Sequence, residues 1–422
     1  MANSLIKTLV NLKGNPRVCV FTEPLWGLSM NLCLPYASVY MLALGLRDAQ
    51  VGFIATVYML SQMVFAFMAG PIIDKMGRRL STAIFDFTAF CIPCIIWWNA
   101  SNFWFFFVAA IFNGVMKITQ ISWACLLVED AVTEQIPHIY SMVTIFSQFC
   151  AFFAPISSIL VSKLTLVPAV KILYINAFVL MTAKILTLYL LSTETRFGRI
   201  RMEETRGKSI LHLSAGYRSV IKLIFKSRGT VFAMVILLLT GIVAMINSTF
   251  WQVIVSKKLL IPDPLLPLFP IIKSFLSMFF LLFIMPGISK RMSSDSGDRL
   301  KIPLLAGILC YIAGQTLLIN VPVHGAATYI LLCVSLVFDG FGFGALGALS
   351  ESLIAINVNP AERARIMSLL HVMVTAAMAP FGWIGGILSE ISKNLPFILN
   401  LILLTSGLLF TIFYYTAAKK TR

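Results

Sequence analysis

Long apolar stretches constrain the fold of this chain more than any other feature. Hydrophobic residues make up 59% of its 422 residues and charged residues 12%, and the mean hydropathy is +0.90, which exceeds what a soluble domain needs. A membrane-spanning helix takes about 20 mainly apolar residues. About twelve such stretches lie near 18–44, 49–69, 80–98, 103–128, 141–162, 170–191, 229–252, 264–286, 302–320, 325–350, 366–388 and 395–417. Backbone groups in hydrocarbon must be satisfied within their own segment, so we predict an all-α polytopic membrane protein with 12 transmembrane helices.

Positive charge is distributed unevenly between the two sides of the predicted membrane. With the N-terminus on the cytoplasmic side, most of the 33 Lys and Arg residues fall in inner segments. The outer segments hold only Arg47, Lys163, Lys171, Lys257, Lys258 and Lys393. This asymmetry predicts that both termini are cytoplasmic in a plasma (inner) membrane. The net charge of +16 is therefore expected to orient the protein and to contact lipid headgroups, with no nucleic-acid partner.

The chain is predicted to consist of two six-helix halves. The polar segment 192–228 separates the first six spans from the last six, which gives an N-terminal half 1–191, a cytoplasmic connector 192–228 and a C-terminal half 229–422. The halves repeat each other, because Glu129 and Glu351 end spans 4 and 10. Pro155 and Pro380 interrupt the spans that follow. Repeats related by an axis along the membrane normal are typical of one class of transporter fold.

The segment between spans 2 and 3 carries the most specific motif. Residues 70–79 read Gly-Pro-Ile-Ile-Asp-Lys-Met-Gly-Arg-Arg, which fits GxxxD[RK]xG[RK][RK]. With its span count, orientation and halves, the chain resembles the major facilitator superfamily of transporters, bacterial type, along essentially its whole length. The resemblance implies that this segment forms a cytoplasmic gate cluster whose glycines allow tight packing. The cluster would consist of Gly70, Asp74, Lys75, Gly77, Arg78 and Arg79.

Asp74 is expected at the start of span 3, where a helix N-terminus favours a carboxylate. Two departures from the family's patterns stand out. Ala109-Ala110 occupies the part of span 4 where many members carry an arginine. Ala154-Pro155 stands where many drug antiporters carry a GPxxGG-like sequence, which weakens an interpretation as a drug antiporter.

Ionisable residues inside the spans are candidate sites, because each costs about 2.5–3.5 kcal/mol or more in hydrocarbon. They are Glu23, Asp86, Lys117, Lys184, Lys273 and Asp339. We expect water or a local base to satisfy Glu23 and Asp86 near the inner ends of their helices, and Lys184 to snorkel to the same end. Lys273 is mid-depth and needs a carboxylate partner or an anionic ligand.

Lys117 and Asp339 occupy equivalent places in the predicted repeat. Each precedes a glutamate, Glu129 or Glu351, by twelve residues. That puts each about 18 Å from the inner end of its helix, near the bilayer midplane. The family places spans 4 and 10 along a central cavity, so the two side chains are expected to face each other there and to bind a charged solute. A permanent structural ion pair, or two residues on unrelated faces, are the alternatives.

Neutral polar residues add hydrogen-bonding capacity on the spans that line the cavity in this family. They are Asn31, Asn113, Thr119, Gln120 and Asn247, and Trp26, Trp123 and Trp251 offer rings for stacking. No ATP-binding GxxxxGK[ST] sequence is present, and neither a metal site nor a cofactor is predicted. Glu129, Asp130 and Glu134 are the acids that a membrane-embedded enzyme could use, but their spacing fits a packed loop better, so we predict no enzyme.

These residues predict a secondary active transporter, a monomer that moves a small-molecule solute by alternating access. A coupling proton carried by Asp339 or Glu23 is the expected energy source. Lys117 and Lys273 favour uptake of an organic anion or sugar-like metabolite. The alternative is efflux of drugs or hydrophobic compounds by proton antiport, for which the methionines and aromatic residues would supply adaptable walls. A non-transporting receptor would not need charges at the midplane.

Overall fold

The computed structural model describes residues 12–132, 135–207, 225, 227–279, 301–357 and 363–420. Every regular element in these ranges is helical, which confirms the predicted all-α fold. Ten helices in them are long and apolar enough to cross a membrane. The first predicted span is helical too, but a 3-10 turn at Leu34–Tyr36 divides it. Residues 280–286, the predicted end of the eighth span, lie outside the described residues.

The chain divides into two compact units. Unit 1 comprises Met1–Leu46 and Val57–Ala215, and unit 2 comprises Arg47–Thr56 and Gly216–Arg422. The helix that begins at Asp48 therefore contributes its first turns to unit 2 and the rest of its length to unit 1. Residues 208–224 and 226 of the predicted cytoplasmic connector lie outside the described residues.

Unit 1 contains eleven described helices, of which the third is the one shared with unit 2. They are α1 (Gly14–Cys33), α2 (Ala37–Ala43), α3 (Asp48–Met76), α4 (Arg78–Asp86), α5 (Ile92–Trp98), α6 (Phe103–Gly114), α7 (Met116–Val128), α8 (Ile136–Phe149), α9 (Ala154–Leu164), α10 (Leu166–Leu191) and α11 (Arg196–Glu204). A π-helical turn, Phe87–Cys91, joins α4 to α5, and the 3-10 turn Cys150–Phe153 precedes Pro155 in the first turn of α9. Proline is accepted there because the first N–H groups of a helix have no intrahelical acceptor.

Helix α1 lies at the centre of unit 1. It packs against α10, α8 and α7, and α4 packs along α7. Cys19 and Val20 of α1 are buried against Leu126, Leu127 and other apolar side chains of α7, α8 and α10. This packing brings the polar positions of α1, α4, α7 and α10 to one place.

Unit 2 contains seven further described helices. They are α12 (Arg228–Val253), α13 (Phe269–Phe279), α14 (Lys301–Ile319), α15 (Ala326–Asn357), α16 (Arg363–Met378), α17 (Pro380–Ile391) and α18 (Leu395–Lys420). Helix α15 packs against α12, α13 and α14. A Cβ added at Gly314 would lie 2.8 Å from the backbone nitrogen of Asp339, and one at Gly342 would lie 2.9 Å from that of Tyr311. The backbones of α14 and α15 therefore approach closely, as the glycine-rich sequence after Asp339 predicts.

The first turns of α3 dock on α17 within unit 2. Asp48 forms an ion pair of 2.6 Å with Lys393 and accepts a hydrogen bond from Ser389. Thr56 donates to the Ala379 carbonyl at 2.7 Å, and a Cβ on Gly52 would clash with the backbone of α17. Small residues and paired polar groups thus hold these two helix segments in direct contact.

The predicted loop at residues 70–79 is almost entirely helical. Helix α3 continues through Met76, and α4 begins at Arg78, so Gly77 alone breaks the helix. Its φ of 84° and ψ of 164° fall in a region that is essentially restricted to glycine. The expectation for Asp74 was wrong, because Asp74 lies in the last turn of α3 and not at the N-terminus of the following helix.

Candidate functional site

A cavity of about 200 Å³ lies within unit 1. It is lined by side chains of α1, α4, α7 and α10, and by one from the π-helical turn. They are Glu23, Trp26, Asp86, Phe90, Met116, Thr119, Gln120, Trp123 and Lys184. Glu23 and Gln120 were predicted as site residues from the sequence, and both line this cavity. Because its lining mixes charged and aromatic groups, the cavity is a candidate solute site.

A buried ion pair stands at one side of this cavity. Lys184 Nζ lies 3.0 Å from Asp86 Oδ2, and both side chains are less than a tenth exposed. Thr119 donates a hydrogen bond of 2.7 Å to the other carboxylate oxygen of Asp86. A local base therefore satisfies Asp86 as expected, but Lys184 does not snorkel. The expectation failed because Asp86 lies within reach of Lys184 and supplies the opposite charge that a buried ammonium needs.

Glu23 and Trp123 present polar groups that no described residue satisfies. The Glu23 side chain lines the cavity, is 7% exposed and accepts no hydrogen bond from the described residues. The Nε1 atom of Trp123 is buried and likewise finds no acceptor among them. The Glu23 carboxylate therefore faces the cavity without a fixed donor from the described part of the chain, whereas Trp123 Nε1 is enclosed.

The other predicted residues of unit 1 lie outside the cavity lining. Lys117 Nζ donates to Gln120 Oε1 at 3.1 Å, one helical turn away on α7. Asn31 donates to the Gly27 carbonyl at 2.8 Å and, more weakly, to that of Ser147. Neither Asn31 nor Asn113 is among the side chains that line the cavity. Lys117 is thus connected to the cavity through Gln120.

Unit 2 holds a buried polar cluster around Asp339. Lys273 donates to Asp339 Oδ2 at 3.0 Å, and Asn247 and Gln315 donate to Oδ1 at 3.1 Å and 2.8 Å. The ammonium of Lys273 also lies 4.5 Å from the ring centre of Phe343. Asn400 donates to Gln315 at 3.0 Å, which extends the cluster to α18.

Each of the two midplane charges has a partner within its own unit. Asp339 is paired with Lys273 from α13, and Lys117 donates to Gln120 on its own helix. That Lys117 and Asp339 face each other stays a prediction. The carboxylate that Lys273 was expected to need is Asp339. Gln315 and Asn400 were missed, because only spans 1, 4, 7 and 10 were searched for polar residues, although both stand out as amides in apolar stretches.

The motif residues form a second charged cluster in unit 1. Arg78 lies 3.0 Å from Asp74 and 3.1 Å from Glu129. The Glu194 carboxylate accepts hydrogen bonds of 2.9 Å and 3.0 Å from the backbone N–H groups of Arg78 and Arg79. Glu194 therefore performs the role expected of Asp74 at this helix N-terminus, and nothing in the motif itself pointed to it.

The remaining motif residues differ in their contacts. Arg79 donates to the Tyr189 carbonyl at 2.9 Å, and Lys75 is exposed. Gly77 packs tightly, because a Cβ there would lie 2.7 Å from the sulfur of Met202. Gly70 faces open space, with no atom within 4 Å of an added Cβ, so the expectation of tight packing was wrong for it. In the connector, a hydrogen bond to Glu204 and the charge of Asp74 raise the pKa of Arg201.

The acids that an enzyme would have used take part in packing contacts. Glu129 accepts hydrogen bonds from Arg78 and Thr195, and Asp130 accepts weaker ones from Asn15 and the Arg196 backbone. Glu134 and the side chain of Glu351 lie outside the described residues. Within the described part of the chain, no group of three or more His, Cys, Asp or Glu side chains is placed to hold a metal ion.

Comparison with known proteins identifies the family. Residues 25–297 match the sequence profile of the Major Facilitator Superfamily, which covers well over half of the chain. The chain belongs to the major facilitator superfamily. Its members are transporters. The sequence matches no curated protein at a significant level.

Solved structures with this fold include several transporters. A mutant of the nucleoside transporter NupG superposes with a TM-score of 0.74 at 15% identity, over 95% of this chain and 99% of that one. A POT family transporter in complex with a thioalcohol-conjugated peptide gives 0.69 at 14% identity, over 98% and 99%. The human organic anion transporter MFSD10 gives 0.60 at 12% identity, over 94% and 98%. At these identities the similarity shows a shared fold.

Proposed function

We propose that this chain is a proton-coupled secondary active transporter that takes up a small solute by alternating access. The observation that carries the proposal is Glu23, a buried carboxylate that faces a cavity without a fixed donor among the described residues. A charged group inside a membrane span costs free energy, so its presence there points to a function. The similar structures of transporters for nucleosides, peptides and organic anions support solute transport by this fold. We further propose a monomer with both termini in the cytoplasm.

The proton is assigned to Glu23 in preference to Asp339. One ammonium and two side-chain amides donate hydrogen bonds to Asp339. Its carboxylate therefore needs no further partner. Glu23 has no such set of donors among the described residues and lines the cavity, so it can bind the coupling proton.

The contacts of the lysines bear on the solute class. An organic anion was favoured by Lys117 and Lys273, but Lys273 is neutralised by Asp339 at 3.0 Å. Lys117, hydrogen-bonded to Gln120, still supports that class. A solute with hydrogen-bond donors is a better match to the carboxylate of Glu23.

Proton flux in proteoliposomes tests the proposal. The purified chain is reconstituted with a pH-sensitive dye inside, and organic anions, sugars, amino acids and amines are added in turn outside. A transported solute acidifies or alkalinises the lumen, and Glu23→Gln is expected to abolish this signal. Glu204→Gln, which alters an exposed acid of the connector, is the matched control. A proton flux equal to that of the wild type in the double variant Glu23→Gln/Asp339→Asn would refute the assignment of the coupling proton to these carboxylates.

Efflux of hydrophobic compounds by proton antiport is the second candidate. It is favoured by the aromatic walls that Trp26, Phe90 and Trp123 form around Glu23. The volume opposes it, since about 200 Å³ is below the range of about 300–1,000 Å³ that holds drug-sized ligands. The sign of the lumenal pH change in the same assay separates the two: a solute added outside acidifies the lumen if it moves with a proton and alkalinises the lumen if it moves by antiport.

A further inference from the structure

One carboxylate of the unit 1 cavity lacks a partner. Glu23 needs a hydrogen-bond donor, and no described residue supplies one. Its side chain lines a cavity of about 200 Å³. For comparison, one molecule of liquid water occupies about 30 Å³, so the cavity has room for a few waters or one small organic molecule.

The charges that line the cavity do not cancel, and Lys117, which donates to the lining residue Gln120, lies outside this lining. The lining contains two carboxylates, Glu23 and Asp86, and one ammonium, that of Lys184. Lys184 lies 3.0 Å from Asp86, and these two charges neutralise each other, so that of Glu23 remains. A cation entering the cavity offsets this charge, whereas an anion adds a second one of the same sign.

The aromatic lining favours the same sign of charge. Trp26 and Trp123 line the cavity together with Phe90, and the faces of such rings attract cations, with tryptophan the strongest. We propose that this cavity binds a small protonated organic amine, whose ammonium donates to Glu23 and whose apolar part packs against the rings of Trp26 and Trp123. The inference rests on the proposed function in one respect, namely that this amine is the transported solute.

Ligand-dependent thermal stability of the purified full chain tests the inference. Tyramine is the probe, because it combines a ring, an ammonium and a hydroxyl. Para-ethylphenol lacks the ammonium, para-hydroxyphenylacetate replaces it with a carboxylate, and methyl glucoside represents a neutral sugar. Each is added at up to about 10 mM, where a ligand with a dissociation constant of about 1 mM occupies about nine-tenths of the sites.

Tyramine is expected to raise the melting temperature of the wild type, and the three other probes are not. Glu23→Gln should weaken tyramine binding by at least about tenfold, because a charge-assisted hydrogen bond is lost. Trp123→Leu removes one aromatic face from the lining and should weaken binding by about three- to tenfold. Glu204→Gln should bind tyramine as the wild type does, since its exposed side chain lies in the connector.

Three results would overturn the inference. They are the absence of a tyramine-dependent shift in the wild type, an unchanged tyramine affinity in Glu23→Gln, and equal stabilisation by para-ethylphenol or methyl glucoside. Failure of the proposed function looks different. Tyramine binding that depends on Glu23 without any solute-driven proton flux upholds the amine site and rejects coupled transport. Proton flux driven by a sugar, without tyramine binding, rejects the amine site alone.

Discussion

Lys184 and Asp86 form an ion pair of 3.0 Å inside unit 1, with both side chains more than nine-tenths buried. The two residues come from α10 and α4, and Thr119 of α7 donates to the same carboxylate. One charged group therefore holds three helices in register beside the cavity. Removal of either partner leaves the other charge buried and unpaired, which is more costly than the absence of both.

Neutralising one member of this pair should destabilise the protein strongly. Lys184→Met and Asp86→Asn are each expected to lower the free energy of unfolding by about 3–5 kcal/mol. The double variant should lose clearly less than the sum, because no charge remains unpaired. Chemical unfolding in detergent, followed by tryptophan fluorescence, measures all three. Lys163→Met, at an exposed position, should stay within about 0.5 kcal/mol of the wild type. Strictly additive losses would show that the pair is not energetically coupled.

The two glycines of the motif should respond to alanine with opposite signs. Gly77→Ala forces a side chain into a glycine-only backbone region against Glu194 and Met202, at a cost of about 1–3 kcal/mol. Gly70→Ala adds a methyl group in open space inside helix α3, and should raise the free energy of unfolding by about 0.5–1 kcal/mol. The same unfolding assay compares the two variants. A loss of stability in Gly70→Ala would mean that this glycine packs against something after all.

Glu194 should control the stability of the first turn of α4. Glu194→Ala removes the acceptor for two backbone N–H groups, which is expected to cost about 1–2 kcal/mol. Hydrogen exchange localises the effect, because the amides of Arg78 and Arg79 should exchange faster while those of α10 are unchanged. Glu204→Ala is the matched control, since that acid pairs with Arg201 on the exposed face of α11. Unaltered exchange at Arg78 would refute the capping role.

Much of the fold follows from the sequence because hydrocarbon imposes a simple rule. Any stretch of about 20 apolar residues must be helical, so the positions of the spans can be predicted from composition alone. The family could be predicted as well, since the motif at residues 70–79 occurs between the expected spans. A loop was predicted across residues 70–79, whereas Gly77 alone breaks the helix. A polar segment of a helix looks like a loop when only its composition is considered.

The partners of the buried charges could not be predicted in the same way. Lys184 meets Asp86 across 98 positions of sequence, and Lys273 meets Asp339 across 66. Which helices become neighbours depends on the packing of the whole unit, and a repeat-based equivalence between Lys117 and Asp339 carries no information about it. Spacing along the chain gives the distance of a residue from its helix end, but it does not give the direction of the side chain around the helix.

The two buried ion pairs should differ in how much they need their lysines. Without Lys273, Asp339 would still accept hydrogen bonds from the amides of Asn247 and Gln315, whereas Asp86 without Lys184 would keep Thr119 alone among the described residues. Lys273→Met is therefore expected to cost about 1–3 kcal/mol, less than Lys184→Met. Lys273 is also 27% exposed, so its ammonium can reach water when Asp339 is changed to Asn.

The contribution of the amides can be tested directly. Gln315→Leu should have a larger effect in the Lys273→Met background than in the wild type, because Asp339 then has Asn247 as its last donor in the described cluster. A double-mutant cycle from chemical unfolding gives the coupling, which should exceed about 0.5 kcal/mol for residues that share one carboxylate. Equal losses for Lys273→Met and Lys184→Met, together with no coupling to Gln315, would mean that the amides do not stabilise the buried Asp339 carboxylate.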